Sequence, residues 1–475
     1  MSSSERAIIF FTLCIFYSFT FTHSKTTFLD VSSTIQKTLD FFTLNQSSIL
    51  NPILHQQTNS SSLSFNLHSR SSLHRPHYND YKSLTLARLH RDNIRVKSLQ
   101  TRLNLAIRGI THSDLKPIET DSNLETPVIS GTSEGSGEYF TRIGIGQPAK
   151  EVYMVIDTGS DVNWIQCSPC ADCYQQTDPI FEPSSSSSYS PLTCDTVQCR
   201  SLDVSECRTG DCLYEVSYGD GSYTVGDFVT ETISFGRMNQ VNRIAIGCGH
   251  NNEGLFVGAA GLIGLGGGSL SFPSQIKASS LTYCLVDRDS DSASTLEFNS
   301  IIPPYAVTAP MLRNPKFQTF YYVNLTGFMV AGEEISIDRS ISEIDGDGEG
   351  GVIVDSGTAV TRLETAAYNA IRDEFMKGTK GLKRVNGVAL FDLCYDLSMM
   401  KSVNVPKLGF VFSNGKVLDL PAKNYLIAVD SVGTFCFAFA PTTASLSIIG
   451  NVQQQGIRVT FDMGNSLIGF SVNNC

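Results

Sequence analysis

Residues 155–167 read VIDTGSDVNWIQC and residues 352–363 read VIVDSGTAVTRL, so Asp157 and Asp355 stand 198 positions apart in closely similar surroundings. Each aspartate follows a run of β-branched residues and opens a turn of small ones, which places its carboxylate at a strand end. Gly159 and Gly357 carry no Cβ, so each turn can bring an N–H close to a carboxylate. Thr158, Ser160, Ser356 and Thr358 are small hydroxyls able to donate to the same oxygens.

Taken singly, an Asp-Ser/Thr-Gly turn is ordinary turn chemistry. The wider surroundings change its weight. EYFTRIGIG (138–146) precedes the first copy and GLIGLG (261–266) follows it; FYYVNLTGF (320–328) precedes the second and SIIGNV (447–452) follows it. Strand, acidic glycine turn and two apolar residues before a glycine therefore occur twice in one order, with 107 positions from Asp157 to Gly264 and 95 from Asp355 to Gly450. Such a repeat predicts two lobes related by a pseudo-two-fold axis at which the turns meet. Two carboxylates a few ångströms apart cannot both ionise easily, so they share a proton, one serving as base toward a water and the other as acid.

The body agrees with an all-β, two-lobed reading. Short stretches dense in β-branched and aromatic residues are broken by Gly, Pro, Asn and Asp. The best helix is TAAYNAIRDEFMKG (365–378), with Ala367, Ile371 and Phe375 on one face. The 349 residues from 127 to 475 exceed what one core comfortably serves, which predicts lobes at 127–305 and 306–475.

The N-terminal quarter is different. Glu5 and Arg6 precede the fifteen-residue apolar run AIIFFTLCIFYSFTF and the segment THS ending at Ser24. That run is shorter than the roughly 20 residues a membrane span needs, so residues 1–24 are expected to be a signal peptide and the mature protein to have no membrane span. Residues 25–81 are rich in Ser, Asn, Thr and His and are expected to be poorly ordered; Asn45 and Asn59 are glycosylation acceptors there, as Asn324 is in the body. Lys82 to Arg108 predicts a basic amphipathic helix, with Leu89, Val96, Leu99, Leu103 and Ala106 at helical spacing and Arg88, Arg91, Arg95 and Arg102 interleaved.

Three readings of that helix compete: a membrane-surface helix, a solvated coil, and a prosegment lying over the body. Charge favours the last. Residues 25–126 hold 12 Lys and Arg against 8 Asp and Glu, whereas residues 127–475 hold 22 against 37. A basic leader and an acidic body attract one another, acidification weakens the attraction, and the acidic body is a poor nucleic-acid binder.

Of 13 cysteines, Cys14 leaves with the signal peptide and twelve lie between Cys167 and Cys475, an even number that reads as six disulfides in a secretory chain. The spacing CSPCADC lacks a fourth nearby zinc ligand. Serine catalysis has one formal match, GTSEG at 131–135, in a polar linker without strand or helix. Seven of the eight histidines lie at or before His112, which leaves only His250 in the body. Mechanisms that need a histidine base or a histidine metal centre have little to use. The loop DGDGEGG (345–351) has calcium-loop alternation, but the twelfth position is Ser356 where a glutamate is needed. No metal and no cofactor is expected.

DTGSDVNW, SYGDGS (217–222), DSGT and the two apolar-apolar-Gly segments together resemble the pepsin-type aspartic endopeptidases over residues 137–475. The Cys-dense segment 167–212, CLVDRDS (284–290) and SIIGNVQQQG (447–456) are similar to the plant nepenthesin-like branch of that family, and DYKSLTLARLHRD (80–92) to its prosegment. The resemblance implies a bilobal double β-barrel with a cleft between lobes, made as a zymogen with propeptide 25–126. It implies Asp157 and Asp355 as the dyad; the shared proton is known chemistry of aspartic proteases and comes with the resemblance. Tyr218 is then the flap tyrosine and Trp164 its hydrogen-bond partner, with Gly219 and Asp220 beside them over the cleft.

The same branch implies the pairings Cys167–Cys170, Cys173–Cys248, Cys194–Cys212, Cys199–Cys207, Cys284–Cys475 and Cys394–Cys436, and the saposin-like insert of typical plant members is not expected in the 120 residues after Asp355. Implied partners are protein or peptide substrates with large apolar residues at the cut, the chain's own propeptide as intramolecular inhibitor, and pepstatin-type inhibitors. The resemblance further implies a monomer in the secretory pathway, in the endoplasmic reticulum, the extracellular space or the vacuole, linked to drought and abscisic-acid responses. The competing function is a non-catalytic pepsin-like binding or inhibitor protein; loss of either aspartate or of Tyr218 would favour it, and all three are present.

Overall fold

The computed structural model describes residues 24–42, 63–70, 78–109, 139–218, 222–235, 239–254, 256, 258–287, 289–290, 292–472 and 475. Four elements precede the body: β1 (Thr26–Asp30), α1 (Val31–Asp40), β2 (Leu63–Ser69) and α2 (Tyr81–Ile107). In the first lobe β3 (Tyr139–Ile145) and β4 (Lys150–Asp157) pair antiparallel with Ile143 opposite Val152, and Asp157 ends β4. β5 (Trp164–Gln166), the hairpin β6 (Ser205–Arg208) and β7 (Asp211–Ser217), and the long strands β8 (Tyr223–Phe235) and β9 (Asn239–Glu253) follow. β10 (Gly261–Gly264) runs parallel to β4, placing Gly264 beside Asp157, and antiparallel to β5.

β11 (Ser280–Cys284) and β12 (Ser294–Phe298) end the first lobe and pair antiparallel with each other. The second lobe contributes β13 (Tyr322–Val323), β14 (Val352–Val354), β15 (Thr361–Glu364), α3 (Thr365–Gly378), β16 (Ser402–Pro406), β17 (Phe439–Thr442) and β18 (Ser447–Ile449). The short helix α4 (Asn451–Gln454) leads into β19 (Ile457–Asp462) and β20 (Leu467–Val472). Helix α3 has the bounds its periodicity predicts, and buries Ala367, Ile371 and Phe375 together with Tyr368.

The internal repeat is a repeat of topology. β14 runs parallel to β18 with Val354 beside Ile449, as β4 runs parallel to β10. β15 is antiparallel to β18 as β5 is to β10, and β15 runs parallel to β17 as β5 does to β9. A strand bearing the aspartate and a strand bearing apolar-apolar-Gly thus lie side by side in each lobe. A common platform joins the lobes: β11 pairs with β12 and β19, and β19 with β20. One apolar core runs through both lobes, and a second gathers around Trp164, Tyr214, Phe228 and Phe256 beneath the Cys-rich segment.

Two expectations need correction. Residues 25–81 were expected to lack order, yet residues 26–40 and 63–69 form β1, α1 and β2. Their order comes from the body: β1 pairs with β16, and β2 lies between β12 and β3, so their backbone groups are satisfied by strands distant in sequence. The leader helix also differs in character. Three of its arginines do not face water: Arg88, Arg91 and Arg95 are buried alongside Leu89, Val96, Leu99 and Leu103, while Arg102 and Ala106 are only half-buried.

The twelve cysteines form six disulfides, of which Cys284–Cys475 and Cys394–Cys436 pair as implied. The other four pairings are Cys167–Cys248, Cys170–Cys173, Cys194–Cys207 and Cys199–Cys212, in place of 167–170, 173–248, 194–212 and 199–207. Cys167 follows β5, whose parallel neighbour β9 carries Cys248, so those two Cα atoms come within 5.3 Å. In the hairpin, Cys207 and Cys212 sit opposite one another but differ in burial. Buried Cys212 reaches buried Cys199, leaving Cys207 at the surface for Cys194. Among the described residues no helix is long and apolar enough to cross a membrane.

Candidate active site

The two turns meet. Thr158 Oγ1 donates to Asp355 Oδ1 at 2.9 Å and accepts from Ser356 N at 3.0 Å, so the first lobe's turn hydrogen-bonds the second lobe's aspartate. Gly159 N donates to Asp157 Oδ1 at 2.9 Å, and Thr358 donates to Asp355 Oδ2 through N at 2.8 Å and Oγ1 at 2.6 Å. Asp157, Thr158, Ser160, Asp355, Ser356 and Thr358 are all buried. The bare glycines serve an additional purpose: a Cβ on Gly159 would lie 2.8 Å from Nη2 of Arg95, and one on Gly357 would collide with the same guanidinium.

Arg95, from the middle of α2, sits on both carboxylates. Its Nη2 lies 2.5 Å from Asp157 Oδ1 and 2.9 Å from Asp355 Oδ1, and its Nε donates to Asp355 Oδ2 at 3.0 Å. A single nitrogen bonded to both oxygens makes the two carboxylates immediate neighbours. Burial pushes Asp157 up, but the charge and hydrogen bond of Arg95, with the Gly159 N–H, hold it below the ordinary carboxylate range. Burial likewise pulls Arg95 down, and the charges of Asp157 and Asp355 raise it above its ordinary value.

The helix is anchored on either side of Arg95. Three residues before it, Asp92 accepts from Ala359 N at 2.5 Å, Val360 N at 3.3 Å and Arg362 Nη2 at 2.6 Å. One further turn back, Arg88 pairs with Asp289 at 2.8 Å. On the other side Val96, Leu99 and Leu103 pack with Phe320, Tyr322, Ile353, Leu446 and Ile448, and Arg102 Nη1 donates to Gly159 O at 2.5 Å.

Trp164 Nε1 donates to Tyr218 Oη at 2.8 Å, the pairing the sequence resemblance implies. Phe256 lies edge-on to the Trp164 ring at 4.8 Å and to Tyr218 at 5.7 Å, so the tyrosine ring is braced by both aromatic neighbours. Gly219 and Asp220 lie outside the described residues, as do Asn45, Asn59 and the GTSEG segment; Asn324 is half-buried in the second lobe.

Sequence reasoning missed three residues here. Arg95 was one of several helical arginines, and Asp92 carried no signal in a basic stretch. Gln454 lies in QQQ and supports the second aspartate from behind: its Nε2 donates to Asp355 O at 3.1 Å and its Oε1 accepts from Tyr283 Oη of the first lobe's β11 at 2.5 Å. His250, in β9, bridges Pro169 O and Asp227 Oδ2 at 2.9 and 3.1 Å.

Residues 139–299 match the family model described as Xylanase inhibitor N-terminal, and residues 320–472 the one described as Xylanase inhibitor C-terminal. The chain is 51% identical over 398 residues to Aspartyl protease family protein 2 of Arabidopsis thaliana, covering 82% of this chain and 81% of that one. It is 37% identical to Aspartic proteinase nepenthesin-1 of Nepenthes gracilis, covering 79% of this chain and 87% of that one. Among solved structures, the crystal structure of edgp superposes with a TM-score of 0.59 at 21% identity over 72% of this chain and 92% of that one, a likeness of fold.

Proposed function

Because this chain belongs to the plant pepsin-like aspartic protease family, we propose that it is an aspartic endopeptidase, made as a zymogen, in which Asp157 and Asp355 hydrolyse peptide bonds at acidic pH. The observation that supports this most directly is the single guanidinium nitrogen of Arg95 bonded to both carboxylates.

With Arg95 displaced, two carboxylates this close share a proton. The ionised one takes a proton from a water as the water oxygen bonds to the peptide carbonyl carbon, and the protonated one gives its proton to the carbonyl oxygen. As the C–N bond of the tetrahedral intermediate breaks, the carboxyl that took the water's proton gives it to nitrogen and the other takes back the proton of one hydroxyl, which restores the dyad without a covalent enzyme intermediate. Tyr218, fixed by Trp164, covers the cleft and limits water.

The leader acts as an intramolecular inhibitor on this reading. Arg95 cannot lose its proton in the physiological range, so release is timed by the carboxylates. Asp157 is held low while Arg95 is docked, so the docked form binds fewer protons than the released form. Docking is at full strength above the ordinary carboxylate range and is lost as pH falls toward the lowered value of Asp157. On this reading residues 1–24 direct the chain into the secretory pathway and are removed there, and the leader of residues 25–126 is cut away afterwards.

The test is hydrolysis of a peptide substrate by the full chain, held at pH 7 and after acidification to about pH 3, below the ordinary carboxylate range, with and without pepstatin. Pepstatin-sensitive cleavage confined to the acidified sample is expected; cleavage that ignores pepstatin or survives Asp157→Ala would sink the dyad. A binding or inhibitor protein, the activity named in the family descriptions, needs neither carboxylate, whereas here both are present and brought together.

A further inference from the structure

Beside the dyad, between α2 and the Cys-rich segment, lies a cavity of about 300 Å³. Its lining is acidic over an apolar floor: Asp161 from the first aspartate's turn, Asp203 from the Cys-rich segment and Glu215 from β7, with Leu202, Leu270 and Phe317. Lys316 is the one cation the body adds among the described lining residues. A second cation comes from the leader. Arg102 reaches in from α2, donates to Gly159 O at 2.5 Å and stacks its guanidinium 5.6 Å from the Phe317 ring centroid.

Asp161 is built to stay in place, since Thr319 Oγ1 donates to its Oδ2 at 2.7 Å and Gly268 N to its Oδ1 at 2.9 Å. Burial raises its pKa, the Arg102 charge lowers it and the Asp203 charge raises it, so all three groups share one field. Departure of the leader removes Arg102 and leaves Asp161, Asp203 and Glu215 with Lys316 as the only cation among the described lining residues. We propose that this arm of the cleft is a subsite for a basic side chain of the substrate, Lys or Arg, and that Arg102 fills that place in the precursor. The proposal rests on the proteolytic reading of the cleft.

The register follows from helix geometry. Arg102 lies seven residues after Arg95, two helical turns or roughly 10 Å along the axis. An extended substrate advances about 3.3 Å per residue, so the basic residue falls about three positions from the bond that is cut. This differs from a preference resting only on large apolar residues at the cut. It also gives the Cys-rich segment a task, because the disulfides Cys194–Cys207 and Cys199–Cys212 brace the loop that carries Asp203 and the hairpin that carries Glu215.

The experiment uses the acidified full chain and two peptide series that vary the third position on either side of the cut among Lys, Leu and Glu. In one series kcat/KM for Lys should exceed that for Leu about five- to tenfold, the effect of a partly exposed ion pair worth ~1 kcal/mol, with Glu poorest. In the double variant Asp203→Asn, Glu215→Gln the Lys-to-Leu ratio should fall toward one; taking a ratio cancels any general loss of activity. Equal cleavage of Lys and Leu peptides in both series, or an unchanged ratio in the double variant, overturns the subsite alone. Absence of pepstatin-sensitive cleavage of every peptide overturns the proteolytic reading and the subsite with it.

Discussion

The turns around Asp157 and Asp355 share a strand crossing but not a supply of hydrogen bonds. Asp157 is held by the Gly159 N–H, and its own carbonyl accepts from the backbone of Leu265. Asp355 takes Thr358 N and Oγ1 together with Thr158 Oγ1 from the other lobe, and its carbonyl accepts from a side chain, that of Gln454. The leader widens the asymmetry, since Asp92 docks on the backbone of Ala359 and Val360, just beyond the second turn. Duplication of a topology thus leaves room for the two carboxylates to be held to different degrees. The second is fixed by groups from both lobes, and its geometry depends on how the lobes sit together.

The largest expected effect tests what the turns share. Asp157→Asn and Asp355→Asn should each lower kcat/KM by about 10²- to 10⁴-fold, the usual worth of positioned acid–base groups; near-normal activity in either would show that the dyad is not the catalyst.

Next comes Arg95→Leu, which leaves two buried carboxylates without their cation, a change costing ~3–5 kcal/mol in comparable buried pairs. Limited trypsin digestion at pH 7 should nick α2 in that variant and spare it in the parent. Equal protection of α2 in both would show that apolar packing of Val96, Leu99 and Leu103 alone keeps the leader docked.

Thr158→Val tests the cross-lobe bond. It leaves Ser356 N and Asp355 Oδ1 without that partner, at about 1–3 kcal/mol, so the melting temperature and kcat should both fall; a change in neither would mean that the bond adds nothing. Smallest is Gln454→Leu, expected to reduce kcat up to about tenfold with KM little changed, because it frees the Asp355 carbonyl and the Tyr283 hydroxyl. The first lobe offers no counterpart to that variant, since a backbone N–H does the same work there.

Much of the fold was legible because it is written in local pattern. The β-branched run before each aspartate became β4 and β14, the two apolar-apolar-Gly segments became their parallel neighbours β10 and β18, and α3 formed over Thr365–Gly378. The leader helix was legible from its spacing, though the burial of its arginines was not: a periodic pattern ranks arginine as a solvent residue, and only facing carboxylates make its burial favourable. Order in residues 26–40 and 63–69 was hidden for a related reason, because β1 and β2 draw their stability from β16, β12 and β3 rather than from their own composition.

Taken alone, the sequence determined that two aspartates recur in matched surroundings, that twelve cysteines form six bonds, and that a basic helix precedes an acidic body. These are properties of residue type and period, which the chain carries whether folded or not. Tertiary structure decided which cysteine meets which, because pairing follows strand neighbours and burial. It also decided which of several arginines reaches the carboxylates and how close those carboxylates stand, because distances between residues 198 positions apart are fixed only when both lobes pack on a common platform.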